Sequence, residues 1–151
     1  MDVLTKDQRR KNMQAIKNSD TREEILLRKK LWSLGYRYRK NDKNVFGHPD
    51  LTFKRNKVAI FIDGEFFHGK DWQTEKFRIK TNQTFWWKKI ESNIKRDIQV
   101  NNELKLQGWR VLRFWSKEIR KNLANCIESI EKNLAKNGNI HGNQGEVENK
   151  C

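Results

Sequence analysis

Leu51-Thr-Phe-Lys54, Arg55-Asn56 and Lys57-Val-Ala-Ile-Phe-Ile-Asp63 read as one β-hairpin, two short apolar runs joined by a polar turn. The second arm is apolar on both faces, the pattern of a central strand covered from above and below. Working outward, Trp109-Arg-Val-Leu-Arg-Phe-Trp115 is a further strand, and Tyr36 to Lys40 alternates aromatic and basic residues like an exposed one. Between the apolar strands lie a polar loop of about 20 residues and a helix expected from about Thr84 to Gln107, stopped at Gly108. Thr21-x-x-Glu24 has capping-box spacing and opens a helix with Leu27, Leu31 and Leu34 on one face, stopped at Gly35. Thr5-x-x-Gln8 opens a short basic helix through about Ile16, and a last helix spans roughly Lys117 to Leu134. The order ααβββαβα predicts a mixed sheet flanked by helices, an α/β (α+β) domain. The expected organisation is one domain over residues 1–136, with 1–20 a basic helical arm and 137–151 a solvated tail.

Charge narrows the function. In 151 residues, 33 Lys and Arg face 19 Asp and Glu, a formal net charge of +14. Six Trp, eight Phe and two Tyr exclude the composition of a disordered chain. No apolar run approaches the roughly 18 residues of a membrane span, and the N-terminus lacks a signal-peptide core. Only Cys126 and Cys151 are present, so neither a disulfide framework nor a multi-cysteine zinc site can form. The expectation is a cytoplasmic protein with an anionic partner. Nucleic acid comes first, because phosphate neutralisation rewards clustered Lys and Arg.

Against that basic background a few acids stand out. Counting back from the Arg55-Asn56 turn, Asp50 and Asp63 come to the same edge of the sheet, with Glu65 two residues further on. Two strand ends are a rigid way to converge oxygens on a hard divalent cation. Taken singly, each is equally read as a turn former. Asp97 falls inside the stripe of Trp87, Ile90, Ile94, Ile98 and Leu104 on the long helix. A carboxylate facing a core needs a cation, a hydrogen-bond partner or a site, and a buried Arg would also serve. Glu24 borders an apolar face, but its capping-box position explains it. His48 and His68 lie within two and five residues of these acids, where a histidine can activate water, although a surface role is the default for each alone. Together, Pro49-Asp50, Asp63, His68 and Asp97 in a basic chain point to metal-dependent cleavage of a phosphodiester.

These residues carry a resemblance. The chain resembles the very-short-patch-repair (Vsr) endonucleases of the PD-(D/E)xK nuclease superfamily, restriction-endonuclease-like in fold. The matching text is Lys11-Asn-Met-Gln-Ala-Ile16, Asp20-Thr21 with Glu24, Gly47-His-Pro-Asp50, Val58–Phe61 with Asp63-Gly64, and Phe66-Phe67-His68. It continues through Thr84-Phe-Trp86, Lys89-Ile90, Asn93, Arg96-Asp97 and Leu106-Gln-Gly-Trp-Arg-Val-Leu112, in order over about residues 6–134.

The resemblance implies a magnesium-dependent endonuclease that nicks one strand of duplex DNA beside a thymine–guanine mismatch left by deamination of 5-methylcytosine, initiating very short patch repair. By position, Asp50 would be the central ligand, with the Ile62 carbonyl nearby and two Mg2+ ions expected. His68 would be the general base, Asp97 would orient it, and Glu24 and Asp63 would bind metal-coordinated water or help hold the ion. Phe66, Phe67 and Trp86 match the aromatic wedge that opens the base stack, with Met13 entering from the opposite groove; read from residues alone, Phe66 and Phe67 could equally belong to a core. Glu65, Lys70, Trp72 and Lys117 stand where the family places structural-zinc ligands, so no such zinc is expected and packing or charge must hold the Gly64–Gln83 loop. Asp63 replaces a His of some relatives, and Glu65 the usual Lys. Further implied are a monomer working on bacterial nucleoid DNA, alongside a cytosine-5 DNA methyltransferase and mismatch-repair proteins. Two alternatives stand beside this reading. One is a similar nicking nuclease acting at an unmodified or structured site in a restriction or mobile-element system; the other is a non-catalytic basic DNA-binding module, against which Asp50, His68 and Asp97 argue.

Overall fold

The computed structural model describes residues 20–138. The expected Thr5–Ile16 helix, Met13 and the end of the chain lie outside them. Within them the order is α1 (Arg22–Ser33), β1 (Arg39–Lys40), β2 (Leu51–Phe53), β3 (Val58–Asp63), α2 (Trp72–Glu75), a 3-10 turn (Lys76–Arg78), α3 (Gln83–Leu106), β4 (Arg110–Trp115), α4 (Ser116–Lys121) and α5 (Leu123–Gly138).

The four strands form one sheet in chain order. The hairpin is antiparallel, with Leu51 opposite Ile60 and Phe53 opposite Val58. β4 runs parallel to β3, pairing Ile60 with Leu112 and Asp63 with Trp115, so α3 serves as the crossover that parallel strands require. This is the mixed sheet flanked by helices expected from the element order, restriction-endonuclease-like in layout.

β3 is buried on both faces because each meets its own apolar layer. Val58 and Ile60, with Leu112 and Phe114, pack against Leu27 and Leu31 of α1 and Ile127 and Ile130 of α5. Ala59, Phe61 and Val111 face the other way, onto Val100 and Leu104 of α3. Leu27 and Leu31 are completely buried, so truncating either to Ala would cost about 2–5 kcal/mol. No helix among the described residues is long and apolar enough to cross a membrane.

Several boundaries differ from expectation. The exposed strand keeps only Arg39 and Lys40, paired with Thr52 and Leu51. Tyr36 and Tyr38 leave the ladder to set their rings edge-on against Phe53, their hydroxyls donating to Glu131 and to the Arg28 carbonyl. The hairpin turn takes in Lys54 to Lys57, with Lys57 at φ 57°. The last helix is two helices broken at Asn122 (φ −131°, ψ 48°), an amide side chain being a poor choice for a helix interior. Within the polar loop, α2 and the 3-10 turn add a short helical segment. On α3, Ile98 is 54% exposed, and Val100 takes the buried place expected for it.

Candidate active site

The hairpin delivers Asp50 and Asp63 to one end of the sheet. Asp50 Oδ2 accepts the Ile62 N–H at 2.7 Å, which fixes the carboxylate across the strand ends. α1 adds Glu24. Its capping role is only partial: the Thr21 hydroxyl accepts the Glu24 N–H at 3.2 Å, but Glu24 Oε1 accepts the N–H of Asp20, one residue short of the reciprocal box. Glu24 is 3% exposed, 3.6 Å from Arg28, and close enough to Asp50 for the two carboxyls to influence each other. Capping therefore accounts for part of Glu24's contacts, and its place beside Asp50 for the rest. Burial, then the negative charges of Glu24 and Asp63, push the Asp50 carboxyl up to about 7 against the pull of the Ile62 N–H. Burial also raises Glu24, opposed by the Asp20 N–H and Arg28. Two carboxyls sharing one proton is the expected state of such a pair without a cation.

At the adjoining end, Asp63, His68 and Asp97 converge, one ligand atom from each lying within 4.8 Å of the others. His68 Nδ1 is 2.7 Å from Asp97 Oδ2 and 3.8 Å from Asp63 Oδ1. Gly69 makes this approach possible. At φ +66° it turns the chain after His68, and a Cβ there would sit 2.5 Å from Ile94 Cδ1 of α3. Burial disfavours the charged ring, but the Asp97 hydrogen bond and the Asp63 and Asp97 charges outweigh it and raise the His68 pKa. With Nδ1 held by a carboxylate, Nε2 is the nitrogen left for proton transfer. Asp97 does lie on the inward side of α3, half-buried between Ile90 and Leu104.

Arg113 was missed. It lies on β4 opposite Phe61, and its Nη1 reaches both Asp63 oxygens, at 3.1 and 3.0 Å. A signal was present: alternation puts Arg113 on the same strand face as the buried Val111, where a charge is as anomalous as Asp97 on its helix.

The aromatic residues form a ridge rather than a core. Phe66, Phe67 and Trp86 meet at centroid distances of 5.2, 5.3 and 6.2 Å, and Phe85 extends the group at 5.1 Å from Trp86. Phe66 is 46% exposed and Phe85 59%, and neither apolar cluster includes them. Asn93 ties the ridge to α3 by donating to the Phe67 carbonyl at 2.9 Å. Behind it, Glu65 Oε2 accepts the Lys117 N–H at 2.8 Å, the Glu65 carbonyl accepts the Lys70 N–H at 3.0 Å, and the buried Trp72 donates Nε1–H to Glu91 at 2.9 Å. Glu65, Lys70, Trp72 and Lys117 thus line one cleft of about 500 Å³.

His48 stays apart from the His68 cluster. It is exposed, at φ 53°, in the loop that precedes Asp50. That loop and α3 enclose a groove of about 900 Å³ with Lys43, Lys95 and Arg96 in its walls. The groove shares Gly47, Arg96 and Val100 with the cavity holding His68, Asp97 and Arg113. A Cβ at Gly47 would lie 2.5 Å from Val100 Cγ1, so only glycine lets the loop sit this close to the helix.

Comparison with known proteins places the chain among DNA-acting enzymes. The family described as DNA mismatch endonuclease Vsr matches residues 1–74. The type II nicking enzyme V.NmeDIP of Neisseria meningitidis serogroup C is 53% identical over 130 residues, covering 86% of this chain and 88% of the relative. The type II nicking enzyme V.HpaIIP of Haemophilus parainfluenzae is 58% identical over 133 residues, 87% of this chain and 94% of the relative. The DNA mismatch endonuclease Vsr of Escherichia coli strain K12 is 35% identical over 120 residues, 79% of this chain and 76% of the relative.

Proposed function

Because the chain belongs to the DNA mismatch endonuclease Vsr family, we propose that it is a DNA endonuclease that nicks one strand of a duplex beside a thymine–guanine mismatch, with magnesium as its cofactor. The observation that carries this reading is the Asp50–Glu24 pair beside the His68–Asp97 pair, whose cavity shares Gly47, Arg96 and Val100 with a basic groove.

The residues fit a divalent cation. Asp50 is half-buried beside a second carboxyl, and among the described residues no Lys or Arg pairs with it. A hard cation there would relieve that repulsion; Asp50 and the Ile62 carbonyl would hold it, with Glu24 beside them. When bound, it supplies Lewis-acid stabilisation of charge on the phosphoryl oxygens. The chain's own residues do the rest. Asp97 fixes the His68 ring through Nδ1, so Nε2 takes a proton from the attacking water. Lys43, Lys95 and Arg96 bind backbone phosphates in the groove. Phe66, Phe67 and Trp86 enter the stack where pairing is weakest, opposite Met13 on an N-terminal arm. The enzyme works as a monomer in the cytoplasm, downstream of a cytosine-5 methyltransferase and beside mismatch-repair proteins.

A second reading keeps the nick and drops the mismatch. It is favoured by the two relatives that share more than half their aligned residues with this chain, both named type II nicking enzymes. Matched and thymine–guanine duplexes of varied flanks, incubated with the protein and magnesium, separate the two. Nicking confined to the mismatched thymine strand and lost on chelation supports the first; equal nicking of both duplexes supports the second. Binding without cleavage would overturn both.

A further inference from the structure

Asp63, His68 and Asp97 present a ligand set that, by distance alone, invites a metal ion. Arg113 stands in the way. Its side chain is 18% exposed and bonded on three sides: Nη1 to both oxygens of Asp63, Nε to Asn101 Oδ1 of α3 at 2.7 Å, and the guanidinium carbon 4.1 Å above the Phe61 ring. The same Nη1 lies 3.6 Å from Asp97 Oδ1. Strand, helix and neighbouring strand all hold this cation, so it is no side chain visiting from solvent. A guanidinium also cannot release its proton to make room for a second cation.

Resting on the nuclease reading above, we infer that Arg113 is a resident cation that takes the place of a metal ion in the Asp63–His68–Asp97 cluster. Divalent metal is confined to the Asp50 side, and Asp63 is a positioning residue rather than a ligand. Both Asp63 oxygens face Nη1, leaving neither lone-pair set turned wholly toward an ion. Magnesium demands near-octahedral oxygens at about 2.0–2.1 Å, and a fixed positive charge bonded to one of those oxygens opposes it directly. Asp97 Oδ2 is already engaged by His68, and its Oδ1 lies 3.6 Å from the Arg113 guanidinium, whose charge opposes a second cation there. In this chain it is a four-residue ion network, Asp63–Arg113–Asp97–His68, built to hold the ring.

The test counts bound Mn2+ per chain by electron paramagnetic resonance in the full protein without DNA. Arg113→Met keeps an unbranched stem over Phe61 but removes the charge, and should bind one more ion than the wild type. Adding Asp63→Asn to Arg113→Met should abolish the gained ion, and Arg113→Lys, which restores a cation, should not gain it. Asp63→Asn in the wild-type background should leave the ion count unchanged. An Arg113→Met protein that keeps a cooperative thermal transition and gains no ion overturns the inference. So does loss of an ion in Asp63→Asn alone, the result expected if Asp63 is a ligand. Should Arg113→Met fail to fold, the Asp63→Asn and Arg113→Lys counts still decide it. None of these counts depends on nicking; failure of the nuclease reading would appear separately, as duplexes left intact by the wild type.

Discussion

At one end of the site Asp50 and Glu24 lie side by side, each carboxyl raised by burial, while at the other Asp63 and Asp97 share the Arg113 guanidinium and the His68 ring. The two ends use the same side-chain type under similar burial. Burial raises Asp63 as it raises Asp50, but Arg113 and His68 pull Asp63 back. Among the described residues no cation acts on Asp50 in this way, and the backbone N–H of Ile62 is what lowers it. A carboxylate's chemistry here is set by whether a cation is built in beside it or must arrive from solution. The first arrangement gives a rigid scaffold for a proton acceptor; the second gives a place that is favourable only when filled.

The most direct way to break the comparison is Asp50→Asn. Nicking should fall at least about 10³-fold, the scale seen when a charge-stabilising group is lost, with duplex affinity within about twofold in gel shifts. The same change should stabilise the metal-free protein, because Asn can still accept the Ile62 N–H and donate to Glu24. The sign follows from linkage. The folded Asp50 pKa, about 7, lies above the unfolded 3.8, so the native state binds more protons between those values. Stability is therefore lost as pH rises from about 4 through about 7. Asn at this position should flatten that fall and add about 1–2 kcal/mol at pH 8 in urea melts. An unchanged pH profile would remove the claim that no cation among the described residues offsets the Asp50 charge.

At the compensated end, His68→Ala should slow nicking by about 10²–10⁴-fold, the usual worth of a general base. Nuclear magnetic resonance of the metal-free protein should place the His68 pKa above 6.5, the direction set by Asp97 and Asp63. Asp97→Asn should bring it down. A His68 that titrates identically in both proteins would sever the pair.

How legible these two ends were from sequence differs for a physical reason. Asp50, Asp63 and Asp97 were readable because each breaks a local pattern, a strand end or a helix stripe, and the hairpin register alone brings the first two together. Arg113 broke the β4 alternation in the same way, yet one strand's pattern cannot say which carboxylate lies across a parallel neighbour. Glu24 was discounted because a capping box accounts for its spacing, while its second partner, Asp50, is 26 residues away and set only by the packing of α1 on the sheet. The fold was read more fully, since apolar periodicity survives burial. Its errors fell where side chains compete with the backbone, at Asn122, and where Tyr36 and Tyr38 gain more from Phe53 than from a ladder.

The ridge extends the comparison to a third region, whose loop is tied down by the Trp72–Glu91 and Glu65–Lys117 hydrogen bonds. Trp72→Phe keeps the buried ring and deletes the donor, leaving Glu91 unpaired. It should lower stability by about 1 kcal/mol, a few degrees in Tm, and slow nicking of mismatched duplexes more than it weakens overall binding. In magnesium-free buffer, where the Asp50 site is empty, a chelator should leave the Tm of the wild type unchanged. A chelator-induced drop would mean that a bound metal holds this loop after all.

The smallest expected effect belongs to the groove, where the proposed reading has Lys and Arg side chains meet DNA phosphates across solvent. Lys95→Gln should shallow the slope of log K against log salt by about 0.9, one phosphate's share of counterion release. Arg55→Gln, an identical charge loss in the hairpin turn at the other end of the sheet, should leave the slope as it was. The contrast isolates position from net charge: if both substitutions flatten the slope equally, the +14 charge acts as a diffuse field. If only Lys95 does, the strand runs from the His68 cavity between the Lys43–His48 loop and α3. The cation brought by the metal at Asp50 would then work on a phosphodiester whose neighbour is held by cations already in the chain.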